Sequence, residues 1–239
     1  MTKRAIFKIG GSVLKDSESV NNVISQFHEL MMQKILDLII IVPGGGIFAN
    51  FIRYADKKLK LGDDLSHWLA ILAMNYNGMS LIKKYDKIFL TEDFDELKEF
   101  EKGIILFLPF KYLYNNDVLP HSWDVTSDSI TLYFANKLNL KSCYLIKDVN
   151  GIYGNKGVLI KEITPQELMN LKDNTLLLKN DITMDIVKNS SPIDSHSLKM
   201  INEYHISCTL LNGTEDEIIL KYFKSSDKKI IPHTKITPK

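Results

Sequence analysis

The chain has 239 residues, 45% of them hydrophobic and 25% charged, with 30 basic and 29 acidic side chains and a net charge of +1. That is a globular composition, long enough for one large α/β domain or two smaller ones. The charge balance leaves no global field to draw nucleic acid or an anionic membrane, and no apolar run nears the roughly 20 residues that cross a bilayer.

Residues 4–9 read as a short, continuously apolar strand that runs straight into Gly10-Gly11-Ser12, with Lys8 two positions earlier. Lys3 and Arg4 lead directly into that strand, with no secretory leader pattern. After a helix over 18–34, a second strand over 38–42 runs into Pro43-Gly44-Gly45-Gly46. Glycine lets backbone N–H groups approach a ligand, and a helix that starts after such a turn adds free N–H groups and a partial positive charge. Two such turns on neighbouring strands predict two anionic pockets. A mobile ammonium at Lys8 suits moving a phosphoryl group between them.

Helices are predicted over 46–60 and 65–84, the latter with Leu65, Leu69, Leu72, Ala73 and Tyr76 at helical spacing. Arg53, one or two turns into the first of these, is a candidate grip for an acceptor phosphate, with a surface arginine as the plain alternative. A strand over 86–90, a helix over 93–101 and a strand over 104–107 follow. Next comes His121-Ser122-Trp123-Asp124-Val125-Thr126-Ser127-Asp128, heading a helix over 126–138. Helix capping needs only one of Thr126, Ser127 and Asp128. Four oxygen-bearing side chains in five positions suggest phosphate binding, or a carboxylate that orients a lysine and Mg²⁺.

The strand over 142–147 ends on Lys147-Asp148, and Asn150-Gly151 turns the chain. The plain reading is an edge turn. The functional one is a nucleotide loop with Asp148 on polar ligand groups and Tyr153 beside the base. Residues 151–163 look like a small hairpin or flap, and 170–194 are polar without a clear pattern. A helix over 195–204, a strand over 207–211 and a helix over 215–224 complete the alternation. Repeated β-α-β units predict an open, mostly parallel sheet between helical layers, with ligands at the carboxyl ends of the strands. Cys143 and Cys208 fall in apolar strands and read as buried free thiols of a reducing compartment, so the expected location is cytoplasmic.

Together, Lys8-Ile9-Gly10-Gly11-Ser12, Pro43-Gly44-Gly45-Gly46, the Thr126–Asp128 helix start and Lys147–Tyr153 resemble the amino acid kinase superfamily. Acetylglutamate, uridylate and isopentenyl phosphate kinases belong to it. The likeness runs to His233-Thr234-Lys235-Ile236, which looks like the closing Gly-Thr-x-Ile segment. It implies one three-layer α/β/α sandwich over 1–239, with 1–140 mainly for the acceptor and 141–239 mainly for nucleotide. It implies ATP and Mg²⁺ as cofactors, a small phosphorylated partner, no nucleic acid or membrane, no protein-bound metal, and a homodimer or larger homo-oligomer. By resemblance Lys8 contacts the transferring phosphoryl group. Gly10, Gly11 and Ser12 hold ATP phosphates, Gly44, Gly45 and Gly46 cradle acceptor and phosphoryl group, and Asp128 positions lysines. Asp148 and Tyr153 fall on the nucleotide loop.

Ser66-His67-Trp68-Leu69-Ala70-Ile71 and His121-Ser122-Trp123 with Thr126-Ser127-Asp128 look most like the archaeal branch that makes the diphosphate of aminomethylfuran in methanofuran synthesis. Its acceptor is (5-(aminomethyl)furan-3-yl)methyl phosphate. His121, Thr126 and Ser127 then become acceptor candidates, while His67, on a predicted helix, reads first as a surface or packing histidine, with contact to the acceptor as the alternative. Two features depart from the superfamily pattern. The loop reads Lys147-Asp148-Val149-Asn150-Gly151 in place of Thr-Asp-Val-Asp-Gly. The Gly-Gly-Met-x-x-Lys segment with its second catalytic lysine is missing, and Ser190-Ser191-Pro192-Ile193-Asp194 occupies that region. Lys147, Lys179 or Lys188 remain as replacements, with Lys147 the working choice. The alternatives are a kinase for uridylate, isopentenyl phosphate or an amino-acid carboxylate, or a nucleotide-binding relative without turnover. A Rossmann dehydrogenase is disfavoured, because no Gly-x-Gly-x-x-Gly follows the first strand.

Overall fold

Short apolar segments, buried along nearly their whole length over 4–9, 38–43, 103–107 and 207–212, form the central strands. The computed structural model describes residues 2–154, 157–173 and 192–239. Its strands are β1 (Arg4–Ile9), β2 (Leu38–Pro43), β3 (Ile88–Thr91), β4 (Gly103–Phe107), β5 (Ser142–Lys147), β6 (Ile152–Tyr153), β7 (Leu159–Ile160), β8 (Glu162–Ile163), β9 (Ser207–Asn212) and β10 (Thr234–Ile236). The helices are α1 (Gly11–Leu14), α2 (Ser17–Met32), α3 (Gly46–Leu59), α4 (Asp63–Ile82), α5 (Phe94–Glu99), α6 (Phe110–Asn116), α7 (Ser127–Lys137), α8 (Pro165–Asp173), α9 (Ser195–Tyr204) and α10 (Ile218–Lys224).

Eight strands form one sheet in the order β3-β4-β2-β1-β5-β9-β10-β8. All neighbours run parallel except β9 and β10. Alternation along β1 divides the core. Ile6 joins β2, β5, α4, α7 and α9 residues on one face, while Ala5, Phe7 and Ile9 join α2 and α10 on the other. Phe7 packs its ring on Phe27 of α2 at 4.5 Å and on Tyr144 of β5 at 5.0 Å. This is a three-layer α/β/α sandwich. Period-two geometry then turns Lys8, two residues after Ile6, toward the α7 face; Lys147, two after Leu145, follows it.

The expected elements lie within a few residues of the observed ones, with five additions: the strands β8 and β10 at the far end of the sheet, and three helices. Helix α1 occupies the first glycine turn, α6 follows β4, and α8 fills part of the stretch without a clear pattern. The small hairpin is present as β6 paired antiparallel with β7. Asn155, Lys156, Lys179, Lys188, Ser190 and Ser191 lie outside the described residues. Cys143 and Cys208 are buried free thiols, in register on β5 and β9. Among the described residues, no helix is long and apolar enough to cross a membrane.

Candidate active site

The carboxyl ends of β1, β2 and β5 meet at one edge of the sheet, and both glycine turns leave from there. They are stitched together by backbone. The Gly10 amide donates to the Ile146 carbonyl at 2.7 Å, and the Gly44 amide to that of Ile9 at 2.9 Å. Those two N–H groups are therefore committed to the sheet, which leaves Gly11, Ser12, Gly45 and Gly46 facing the opening beyond it. The two turns also touch. A Cβ on Gly11 would lie 2.5 Å from the Gly46 nitrogen, and Gly46 itself has φ +58°. No side chain fits between the turns, which is why glycine stands on both sides.

A cavity of about 770 Å³ opens in front of them. At its floor Asp128, in the first turn of α7, lies between the two lysines that β1 and β5 turn to this face. Lys8 Nζ is 2.9 Å from Asp128 Oδ1, and Lys147 Nζ is 2.7 Å from Oδ2. Lys8 is 6% exposed and Asp128 3%. Burial lowers the Lys8 pKa to about 8; Asp128 opposes that drop and the neighbouring Lys147 adds to it. Burial would raise the Asp128 pKa, but the two ammoniums outweigh it and hold it down at about 2. Burial likewise works against charge on Lys147, yet its contacts with Asp128 leave that pKa raised. Two ammoniums share one carboxylate, so the Lys8–Asp128–Lys147 cluster itself carries one positive charge in excess, with Asp194 acting on Lys147 from further off. It lies where an anion would complete it.

The start of α7 is held from an unexpected direction. Asp194 caps α9 by accepting from the Ser197 amide at 2.7 Å. The same carboxylate accepts from the Thr126 amide at 3.0 Å and hydroxyl at 2.7 Å, and from the Ser129 amide at 3.1 Å and hydroxyl at 2.7 Å. Thr126 is thus the α7 N-cap, with its hydroxyl accepting from the Asp128 amide at 3.3 Å. Thr126, Ser127 and Asp194 all border the cavity.

On the far wall the Arg53 guanidinium lies 4.6 Å from the centre of the Trp123 ring. Trp123 Nε1 donates to Asp56 Oδ2 at 2.8 Å, one turn along α3 from Arg53. The aromatic face acts as a shelf, and burial lowers the Arg53 pKa. Among the described residues no carboxylate pairs with Arg53, so its donors are available to a ligand in the cavity it borders. Ala70, Ile71 and Met74 of α4, with Ile130 and Ile193, form the apolar lining.

Lys8, Gly11, Ser12, Gly45, Gly46, Arg53, Thr126, Ser127, Asp128, Lys147 and Asp148 thus converge on one opening. Gly10 and Gly44 stand behind it in the sheet edge. Tyr153 lies on β6 and does not border the cavity, and neither does His121. The His121 ring nitrogens are held by Asp64 at 2.6 Å and Asp117 at 2.7 Å. His67, first read as packing, is the histidine that reaches the cavity. Asp194 is a site residue that the sequence reading does not single out. The Asp-Ser-x-Ser run at 194–197 signals a helix cap, but nothing local signals its bonds to α7.

A mostly parallel sheet with anion-binding turns at its carboxyl edge and a buried Lys-Asp-Lys cluster defines a phosphoryl-transfer class of protein. Residues 3–196 match the amino acid kinase family. The chain is 30% identical over 221 residues, 90% of both chains, to the [5-(aminomethyl)furan-3-yl]methyl phosphate kinase of Methanocaldococcus jannaschii. It is 25% identical over 241 residues, 95% of this chain and 98% of the other, to the uridylate kinase of Methanococcus vannielii. The solved uridylate kinase of Archaeoglobus fulgidus shares its fold, with a TM-score of 0.67 at 19% identity, over 99% of this chain and all of that one. The chain belongs to the amino acid kinase family and is a kinase.

Proposed function

We propose that this kinase transfers the γ-phosphoryl group of ATP to a phosphomonoester, (5-(aminomethyl)furan-3-yl)methyl phosphate or a close analogue, and so makes a diphosphate. The observation that carries this reading is the Lys8–Asp128–Lys147 cluster under two touching glycine turns. Gly11 and Ser12, with Asp148 at the β5 end, would face the nucleotide; Gly45, Gly46 and Arg53 would face the acceptor. The half before residue 141 then mainly holds acceptor and the half after it mainly nucleotide, on one continuous sheet.

Lys8 and Lys147 neutralise charge that spreads over the transferring group, and the backbone N–H groups fix its position. An acceptor phosphate is already ionised near neutral pH, so no strong base is required. Among the described residues, no three His, Cys, Asp or Glu side chains converge as a metal cage. Mg²⁺ would therefore ride on the nucleotide's phosphates near Asp148, where it supplies further charge neutralisation. The homo-oligomer has a surface to use, because Ile47, Phe51, Leu59, Tyr76 and Met79 leave an apolar stretch of α3 and α4 exposed to a second copy of the chain.

The test is an acceptor panel with ATP: the aminomethylfuran phosphate, uridylate, isopentenyl phosphate and acetylglutamate. ADP release is followed, and phosphorus NMR identifies the product. Diphosphate formation on the furan, lost in Lys8→Met, is the expected result. Turnover confined to another acceptor rejects this substrate. If no acceptor is turned over while native protein and Lys8→Met bind ATP alike, the chain is a nucleotide-binding relative.

A further inference from the structure

One face of α4 runs along the cavity. Asp63, Ser66, His67, Ala70, Ile71 and Met74 border it at helical spacing. The helix is anchored at the reacting end, where Asn77 Nδ2 donates to the Gly44 carbonyl at 2.7 Å. His67 stands ten residues before Asn77, about 15 Å along the helix axis. Between them the wall is apolar, so the cavity is cationic at one end, apolar in the middle and different again at the His67 end.

That end has its own charge design. His121 is gripped through both ring nitrogens by Asp64 and Asp117. Both nitrogens thus donate, which makes the ring an imidazolium, and its pKa is raised by those two carboxylates against the effect of burial. It stacks on His67 at 4.3 Å with the planes 20° apart. His67 is 7% exposed. Burial, then the charge of His121, lower its pKa to about 4, while Asp117 and Asp64 pull weakly the other way. His67 is therefore neutral, with one ring nitrogen free to accept a hydrogen bond. Among the described residues neither of its nitrogens has a hydrogen-bond partner. Of the neighbouring charges, the imidazolium acts most strongly on His67, so the opposite charge for a cation there comes from Asp63, one turn before His67 and bordering the cavity.

We propose that His67 and Asp63 form a seat for a primary ammonium at the far end of the acceptor, with His67 accepting a hydrogen bond from it and Asp63 supplying the opposite charge. This rests on the phosphomonoester reading above and names what recognises the acceptor's other end. His121, clamped between Asp64 and Asp117, acts through His67: it supports the ring and keeps it unprotonated. The acceptor is then read by two opposite charges held apart by an apolar ring.

The test compares two acceptors, the aminomethylfuran phosphate and its analogue with methyl in place of aminomethyl. Native protein should favour the amine at least tenfold in kcat/KM, mostly through KM. His67→Leu should bring the ratio to within about twofold, by losing the amine and not the methyl analogue. Asp63→Asn, at an exposed position, should lower the ratio in the same direction even if His67→Leu does not fold. A native enzyme indifferent to the amine overturns the proposal, as does a preference that survives both substitutions. If native protein phosphorylates neither furan but does phosphorylate uridylate, the failure lies in the substrate assignment itself, and the seat falls with it.

Discussion

Asp128→Asn removes one negative charge from a buried site and keeps its shape. The native carboxylate is 3% exposed and holds Lys8 at 2.9 Å and Lys147 at 2.7 Å. Removing one partner of a buried ion pair costs about 3–5 kcal/mol, because it leaves an uncompensated charge. Here two ammoniums lose the same partner, but the losses do not add. Lys8 already titrates at about 8, so discharging it near neutral pH takes only about 1.4 kcal/mol. The variant sheds that proton in preference to burying two unmatched charges. The expected destabilisation is about 3–4 kcal/mol at neutral pH. A lysine whose pKa is lower folded than unfolded binds fewer protons when folded. Its penalty is full below the folded value and fades as pH rises toward the unfolded value of 10.5. In the variant the folded value drops further, so stability climbs from neutral pH by about 1.4 kcal/mol per pH unit. The native protein gains little until pH passes about 8. The gap between the two should therefore narrow as pH rises. Urea unfolding followed by circular dichroism, in steps from about pH 6.5 to about pH 9, measures it. A constant gap, or a pH dependence that survives Lys8→Met in the variant, would refute the reasoning.

Gly11→Ala sets a methyl group 2.5 Å from the Gly46 nitrogen; backbone must move, and thermal denaturation should show a loss of about 2 kcal/mol or more. Asp194→Ala removes the carboxylate that bridges the starts of α7 and α9 and leaves only the Ser129–Ser197 hydroxyl contact and the bonds of Ser195 and His196 to Asp124, so hydrogen exchange should rise at both helix starts, with a stability loss of about 2–4 kcal/mol. Exchange that rises at α9 alone would contradict the bridge. Trp123→Leu withdraws the shelf under Arg53, so the acceptor KM should rise about 5–30-fold, a loss of about 1–2 kcal/mol, while the KM for ATP stays put. Equal changes in both constants would point to a general distortion.

The six longer strands were legible because each is a short, largely apolar segment, whereas β8 (Glu162–Ile163) and β10 (Thr234–Ile236) are too short and too polar to stand out; Lys8 and Lys147 were legible because they break the apolar pattern at its carboxyl end. Strand alternation alone sends both to the face where Asp128 starts its helix. Helix α8 was also written in the chain: Thr164-Pro165-Gln166-Glu167 is a capping box with proline at the first helical position, and Glu167 accepts from the Thr164 amide and hydroxyl at 2.8 Å. The polar residues around it mask the signal. Helix α6 hides behind Phe110, Tyr112 and Tyr114, whose aromatic side chains read equally well as strand. Asp194 could not be found locally, since Thr126 and Ser129 lie 68 and 65 residues away. Nearness along the chain drew attention to His121, whereas its carboxylate partners, one of them 57 residues distant, occupy its nitrogens and leave His67 at the cavity.

The contact between Gly11 and Gly46 makes a gauge of the backbone itself. Because the two turns abut without side chains, the interval between whatever each one holds is set by the thickness of two peptide chains. No swing of one half against the other has to establish it. With one reactant on each turn, as proposed, the reactants would be matched to a fixed spacing, and tolerance for acceptors of different reach would come from the opposite wall, where side chains can vary without disturbing that interval.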